Sequence, residues 1–175
     1  PWRGEGWYRK VFTLGEADRG RRVYFDFDGV MAFPRVYVNG QLAGQWDYGY
    51  MSFRVDATPY VKLGEKNVIA VYADTRNHGT RWYPGAGIYR KVKMTTCEPL
   101  HVSHWGLVVT TPHVSDRSAT VRVQVMVENH WQAKKKVDVE VTLIDPNGSA
   151  VSTAMDATLD IAGGKVGVLD HSESI

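Results

Sequence analysis

Hydrophobic and polar residues alternate with a period of two along most of the chain, and turn-forming residues separate the alternating stretches. This pattern predicts β-strands, because successive side chains of an extended strand point to opposite faces of a sheet. In residues 22–28, for example, Val23, Phe25 and Phe27 share one face. No stretch has the periodicity of an amphipathic helix. The sequence therefore predicts an all-β protein.

The first half of the chain holds the aromatic-rich strands. They are predicted at residues 7–13, 22–28, 33–38, 41–45, 50–55, 67–73 and 88–94. Asn39 and Gly40 predict a tight hairpin between the third and fourth of these strands, since both residue types tolerate positive φ. Asp56 and Pro59 predict one capped helical turn, because Asp56 can accept backbone N–H groups and Pro59 suits a first turn.

The composition changes near residues 97–100, where aromatic residues become rare and valine becomes frequent. Residues 119–129 and 137–144 alternate valine with polar residues, and residues 158–169 hold one or two further strands. We therefore expect two domains, at residues 1–97 and 98–175. The second has fewer strands than the seven or so of an immunoglobulin-like sandwich, so we expect it to be incomplete and the chain to be a piece of a longer protein.

Composition and charge limit the classes of function that we expect for this chain. The 175 residues are 43% hydrophobic with a formal net charge of +2, and they include no long basic run, so we expect no nucleic-acid partner. No apolar stretch approaches the roughly 20 residues that span a bilayer, so we expect no membrane span. The single cysteine, Cys97, excludes an internal disulfide and is expected to be a small buried residue. The compartment stays open among periplasm, cytoplasm and secretion.

Residues 81–90 combine aromatic, arginine, proline and glycine residues between two predicted strands. Pro84 and the glycines Gly85 and Gly87 favour a shaped loop. In such a loop, Trp82 offers a flat apolar face for a sugar ring and Arg81 offers a rigid set of donors for hydroxyl groups. The alternative is a packed loop that closes one end of a β-sandwich without binding anything.

These motifs resemble those of glycoside hydrolase family 2, the group of β-galactosidases, β-glucuronidases and β-mannosidases. The resemblance rests on residues 6–12, on residues 36–40 followed by Gly44, on Gly49, Tyr50, Phe53 and Asp56, on Gly64 before Asn67, and most specifically on residues 81–90. Residues 101–129 are similar to the family's second domain, with weaker motifs.

The resemblance implies a galactose-binding-like jelly roll, then an immunoglobulin-like β-sandwich, then a catalytic (β/α)₈ barrel that this sequence does not include. The family's retaining mechanism uses two glutamates of the barrel, roughly 5 Å apart. No such pair is evident here, so we expect no catalytic residue in the chain and no activity from it alone. By resemblance, the substrate-binding candidates are Asp74, Arg81 and Trp82, which would contact hydroxyl groups of the terminal sugar. For Asp74, a local turn-capping role is an equal alternative.

The remaining polar and aromatic clusters give weaker hypotheses. His101 and His104 lie three apart on a predicted strand and so point to opposite faces, and we expect no metal site and no cofactor. Asp26 and Asp28 share a strand face, where solvated carboxylates are the simplest expectation. Residues 46–48 form either a second aromatic platform or rim packing.

The leading hypothesis is therefore the non-catalytic front of a β-glycosidase, most simply a β-galactosidase, that meets its carbohydrate substrate through a separate catalytic domain. Support of contacts in a homo-oligomer is a further role left open. The alternatives are a free-standing carbohydrate-binding module and a β-sandwich adhesion or scaffold protein.

Overall fold

The computed structural model describes residues 4–77, 85–151 and 155–175. The chain divides into two compact units, Pro1–Glu98 and Pro99–Ile175. The described residues form fourteen strands and one short 3₁₀ helix, so the predicted all-β fold class is confirmed. Among them, no helix has the length and apolar character needed to cross a membrane.

The first unit contains nine strands in antiparallel pairs. They are β1 (Glu5–Thr13), β2 (Arg22–Phe27), β3 (Val30–Met31), β4 (Arg35–Val38), β5 (Gln41–Gln45), β6 (Phe53–Asp56), β7 (Lys66–Asp74), β8 (Gly87–Ile88) and β9 (Val92–Cys97). The larger sheets have the strand orders β1-β7-β4-β5 and β6-β2-β9, and β3 pairs with β8. The 3₁₀ helix, Glu16–Asp18, was not predicted.

The core of the first unit lies between these sheets. Val23, Phe25 and Phe27 are 1%, 5% and 0% exposed, as their shared face predicted. Phe27 stacks on Phe53 of β6 with ring centroids 4.7 Å apart. Alternation along strands of both sheets therefore supplies the buried layer.

A pair of asparagines fixes the predicted hairpin to the rest of the unit. Asn39 has φ 50° and Gly40 has φ 83°, and β4 and β5 pair on either side of them. The Asn39 side chain donates to Asn67 Oδ1 at 2.8 Å and accepts from the Val68 amide at 2.9 Å. Asn67 is fully buried. The hairpin is thus tied to β7 by side chains as well as by the strand ladder.

Three local expectations need adjustment. Residues 57–60 form a hydrogen-bonded turn and not a helical one, although Asp56 does accept the Thr58 amide at 3.0 Å as expected. The strand predicted at residues 88–94 is divided into β8 and β9, because Gly87 and Ile88 pair with β3 whereas β9 pairs with β2. Cys97 is half-buried at the end of β9, less enclosed than predicted.

The second unit contains β10 (Leu100–Val114), β11 (Ala119–Asn129), β12 (Lys135–Val141), β13 (Met155–Ile161) and β14 (Lys165–Ser174). Strands β10, β11 and β14 form one sheet, and β12 and β13 form another. The inward valines of β11, at positions 121, 123, 125 and 127, form the core together with Ile161. Asn129 is 1% exposed, and its amide donates to the carbonyl oxygens of Ala133 and Ile161 at 3.0 and 2.9 Å.

Candidate functional site

A cluster of polar side chains lies where the beginning of β1 meets the end of β7. The two strands pair so that Glu5 is opposite Asp74, and Trp7 is opposite Tyr72. Because side chains alternate along a strand, Glu5, Tyr72 and Asp74 all project from the same face of the sheet. Arg76 follows β7 by two residues and completes the cluster.

Arg76 and Tyr72 connect the two carboxylates. Nη2 of Arg76 is 2.7 Å from Asp74 Oδ2 and 2.7 Å from Glu5 Oε1, and the Arg76 backbone amide donates to Asp74 Oδ1 at 2.9 Å. The Tyr72 hydroxyl lies 2.7 Å from Glu5 Oε1 and 3.1 Å from Asp74 Oδ2. One hydroxyl proton can serve one acceptor at a time. The cluster therefore contains two carboxylates that share one guanidinium and one phenol.

These contacts determine the ionisation of the cluster. The side-chain hydrogen bonds from Arg76, followed by its backbone amide, lower the pKa of Asp74 to about 2. The hydrogen bond to Glu5, followed by burial and the proximity of Asp74, raises the pKa of Tyr72 to about 12. The pKa of Arg76 is raised by its hydrogen bonds to Asp74. At neutral pH, Asp74 is thus an anion, Arg76 a cation and Tyr72 a neutral hydroxyl.

The backbone around Asp74 is fixed on both sides. The Asp74 amide donates to the Ala32 carbonyl at 2.8 Å, and the Thr75 amide donates to the Gly4 carbonyl at 3.0 Å. Thr75 is only 4% exposed, and its hydroxyl lies 3.2 Å from both the amide and the carbonyl of Gly4. The carboxylate of Asp74 therefore projects from an anchored strand end, with its side chain 18% exposed.

The cluster forms part of a polar cleft of about 480 Å³. The lining residues are Glu5, Phe33, Pro34, Arg35, Gln45, Asp47, Tyr72, Asp74 and Arg76. Phe33 is the aromatic wall of this cleft: its φ is 46°, and the residue is 43% exposed. A bulky residue with positive φ is uncommon and is often found beside a ligand site. The cleft combines carboxylates, a guanidinium and an aromatic ring, which are the groups that bind sugar hydroxyls and C–H faces.

Of the three predicted site residues, only Asp74 belongs to the described part of the chain. Asp74 lines the cleft, while Arg81 and Trp82 lie outside the described residues. The sequence did not single out Glu5, Tyr72 or Arg76. Tyr72 and Asp74 could have been paired from their two-residue spacing on a predicted strand, but Glu5 could not, because it is 67 residues from Tyr72.

The other clusters that the sequence raised have structural partners. Asp26 is not simply solvated, as had been expected, because Arg54 Nε lies 2.6 Å from its Oδ1 and the Asp26 side chain is 15% exposed. Trp46 stacks on Phe53, with ring centroids 5.9 Å apart, and so belongs to rim packing. Tyr48 packs edge to face with Tyr50. Asp47, between Trp46 and Tyr48 in the sequence, lines the cleft.

The first unit matches a known protein family. Residues 2–98 match the sugar-binding domain of the glycosyl hydrolases family 2. The chain belongs to this family. The resemblance inferred from the motifs of residues 6–90 is thereby confirmed.

Relatives in glycosyl hydrolase family 2 include enzymes with two different names. The chain is 38% identical over 164 residues to the β-galactosidase BoGH2A of Bacteroides ovatus, covering 93% of this chain and 19% of that protein. It is 32% identical over 173 residues to a β-glucuronidase of Formosa agariphila, covering 86% of this chain and 18% of that protein. The chain thus spans about a fifth of the length of these curated relatives.

Solved structures of the family share the fold of this chain. The crystal structure of a glycosyl hydrolase family 2 member from Bacteroides cellulosilyticus aligns with a TM-score of 0.89 at 33% identity. The alignment covers 98% of this chain and 24% of that one. The agreement extends over both units, so the architecture of β1 to β14 is that of family members.

Proposed function

We propose that this chain is the non-catalytic amino-terminal part of a retaining exo-β-glycosidase, most simply a β-galactosidase. Its first unit forms one wall of the pocket for the terminal sugar, and a catalytic barrel supplies the chemistry. The observation that carries the proposal is Asp74, an ionised carboxylate anchored at a strand end in a polar cleft. Family membership and the extent of the relatives beyond this chain support the same conclusion.

The ionisation of four described carboxyl groups supports a role in binding rather than in proton donation. A glycosidase needs one carboxylic acid whose pKa is raised, so that it can protonate the leaving oxygen. Four described carboxyl groups have a pKa below the usual value: Asp74, Glu128, Asp145 and Asp170. In the cleft, Glu5 and Asp74 share Arg76, whose hydrogen bonds favour the anionic form of Asp74. These groups suit hydrogen-bond acceptance, not proton donation.

Asp74 is suited to accept hydrogen bonds from sugar hydroxyls. A carboxylate offers about four lone-pair positions. Arg76 and Tyr72 approach Asp74 from within the cluster, and the cleft lies on the accessible side of the carboxylate. A hydroxyl that donates to an anionic acceptor forms a stronger hydrogen bond than it forms to a neutral group. We therefore assign Asp74 to substrate positioning, with Arg81 and Trp82 as further substrate-binding residues on the family motif.

The test is to replace Asp74 in the enzyme that contains this chain. Asp74→Ala should reduce kcat/KM by on the order of tenfold or more, the effect of one or two hydrogen bonds to a positioned hydroxyl. Asp170→Ala is the matched control, because Asp170 has the same lowered pKa of about 2 and a similar arginine partner, Arg122, but lies in the second unit. Equal kcat/KM for wild type and Asp74→Ala would contradict the assignment.

A second measurement concerns the chain by itself. Nitrophenyl β-galactoside and related substrates should show no turnover above a heat-inactivated sample when incubated with the 175-residue chain. Turnover that exceeds this background would overturn the non-catalytic assignment while leaving family membership intact.

One observation favours a second candidate, a carbohydrate-binding module that acts without a catalytic partner. Trp7 is 58% exposed on the outer face of the first unit, where its ring lies 5.6 Å from Tyr37 and 5.2 Å from Tyr72. Exposed aromatic faces stack on sugar rings. Calorimetric titration with galactose, glucuronate and oligosaccharides distinguishes the candidates, because millimolar or tighter binding by the chain alone favours the module, and binding that Trp7→Ala abolishes locates it on this face.

A further inference from the structure

Three side chains of metal-ligand type converge on one face of the second unit. His101 lies on β10 and is opposite Glu128 of β11 in the strand register. His130 directly follows β11, and its amide donates to the Pro99 carbonyl at 2.8 Å, which continues the pairing of the two segments by one more residue. Glu128 and His130 are two residues apart and so share a face. The register therefore places two imidazoles and one carboxylate side by side.

The distances within this cluster are close to those of a coordination site. Nε2 of His130 is 2.7 Å from Glu128 Oε2, and Nε2 of His101 is 3.9 Å from the same oxygen. The three ligand atoms all lie within 4.8 Å of one another. Ligands at 2.0–2.2 Å from a tetrahedral ion are about 3.3 Å apart, a separation that lies between the two measured distances.

The two imidazole rings are already oriented together. Their planes are 12° apart and their centroids 5.4 Å apart, and Nε2 of each ring faces the carboxylate. The side chains of His101, Glu128 and His130 are 12%, 29% and 29% exposed. An ion and its remaining water ligands can therefore reach the cluster from solvent, while the rings are confined enough to limit the entropy lost on binding.

The hydroxyl of Ser103, on β10, lies near the carboxylate of Glu128. The Ser103 contact falls short of hydrogen-bond geometry, and Ser103 Oγ is a buried oxygen without a hydrogen-bond partner among the described residues. Ser103 is thus available to hydrogen-bond Glu128 when the carboxylate turns towards an ion.

We propose that His101, Glu128 and His130 form a binding site for one divalent transition-metal ion of the Zn²⁺ type. Two imidazoles and one carboxylate are a ligand set that Zn²⁺ accepts, with solvent in the fourth position. Ca²⁺ and Mg²⁺ prefer sites made of oxygen atoms, so the two imidazoles select against them. The ion links β10 to the end of β11 and stabilises the second unit by binding the folded form.

The proposed site differs from the sequence-based expectation of no metal. That expectation compared His101 with His104, which lie on one strand and face apart. His104 instead stacks on Trp105, with ring centroids 4.4 Å apart. The partner of His101 comes from the neighbouring strand, and the useful signal was Glu128 and His130 at a two-residue spacing.

The experiment uses the 175-residue chain, freed of any polyhistidine tag, with Zn²⁺ and Co²⁺ as probes. Zn²⁺ should bind at one equivalent and raise the Tm of the second unit, and Co²⁺ should give the visible absorption bands of a four- or five-coordinate ion. Zn²⁺ binding should be weakened by at least roughly tenfold in each of the variants His101→Ala, His130→Ala and Glu128→Gln. Loss of a group that only hydrogen-bonds to a metal ligand already lowers metal affinity by about that factor. His113→Ala, an exposed histidine on the same strand, is the matched control and should change nothing.

Two results would overturn the proposal. One is the same Zn²⁺ affinity in wild type and in the His101→Ala/His130→Ala double variant, which would mean adventitious binding elsewhere. The other is an octahedral or absent Co²⁺ spectrum in the wild-type chain, a result that does not depend on any variant. Circular dichroism identifies a variant that fails to fold, and the Glu128→Gln variant, which preserves side-chain shape, then provides the comparison.

Discussion

The buried asparagine at position 67 permits a sharp test of what holds the first unit together. Its amide donates to the carbonyls of Lys62 and Glu65 at 2.8 and 3.2 Å, and its oxygen accepts from the Lys62 amide at 2.7 Å and from Asn39 Nδ2 at 2.8 Å. The side chain is fully buried. Asn67→Ala removes all four hydrogen bonds and leaves the partner groups unsatisfied at a buried position.

The expected loss of stability follows from these bonds. Three of them are at most 2.8 Å long, and a typical buried hydrogen bond contributes about 1 kcal/mol net, so the substitution should cost about 3 kcal/mol in the free energy of unfolding. The 3.2 Å bond adds little to this sum. For a unit of this size the loss corresponds to a decrease in Tm on the order of 15 °C.

Hydrogen exchange followed by mass spectrometry is the appropriate assay, because it reports on each unit separately. Asn67→Ala should accelerate exchange in β2 and β7 and leave β11 and β14 unchanged. Asn129→Ala is the matched control: Asn129 is equally buried and bonds the Ala133 and Ile161 carbonyls, so the pattern of exchange should be reversed.

Two results would refute this reasoning. One is a Tm decrease of less than about 2 °C for Asn67→Ala, far below the value expected from three buried hydrogen bonds. The other is equal acceleration of exchange in both units, which would mean that Asn67 supports the chain as a whole and not the first unit. Asn67→Asp adds a further check, since it keeps the acceptor but places a carboxylate against two carbonyls, and it should be at least as destabilising as alanine.

Two further predictions concern a glycine and the acid range of pH. Gly87→Ala should destabilise the first unit by about 2 kcal/mol in urea unfolding, because its φ is 77° and an added Cβ meets the Tyr8 hydroxyl. Gly20→Ala, with φ 76° and open space, should cost only about 1 kcal/mol, and equal costs would show that Tyr8 moves aside without a penalty. The pKa of Asp74 falls from 3.8 to about 2 on folding. Ionised Asp74 therefore stabilises the folded state fully above pH 3.8, and this stabilisation is lost as the pH falls to about 2. Asp74→Asn should therefore reduce the decrease in Tm of the first unit over that pH interval, and Asp170→Asn should do so only for the second unit. Thermal unfolding at several acid pH values measures this, and an unchanged dependence of Tm on pH in both variants would contradict the prediction.

Local patterns in the sequence predicted the strands well and the site poorly. Strand β5 and strand β11 have the predicted bounds, and the hairpin at Asn39 forms as its residues indicate. Each of these depends on neighbouring residues, where alternation and turn chemistry act directly. The division of β8 from β9 was missed because pairing with β3, not local composition, ends the shorter strand.

The polar clusters of the two units show why the sequence did not predict side-chain contacts between different strands. Glu5 joins Asp74 only because β1 and β7 pair in one particular register. His101 likewise meets Glu128 through the register of β10 and β11. Alternation states which residues share a face of one strand, but it does not state which strand lies alongside or how far it is shifted. Asp74 itself was identified from the family motif, and its partners required the fold.

The bond between Arg76 and Asp74 has a consequence for the proposed binding of a sugar at this carboxylate. A hydroxyl that reaches Asp74 meets an acceptor whose charge is already partly neutralised, so the new bond is weaker than one to an isolated carboxylate. In return, neither the carboxylate nor its strand has to become ordered when the sugar arrives. Such a contact would favour correct orientation of the sugar over long residence, which suits the proposed role of Asp74 in substrate positioning.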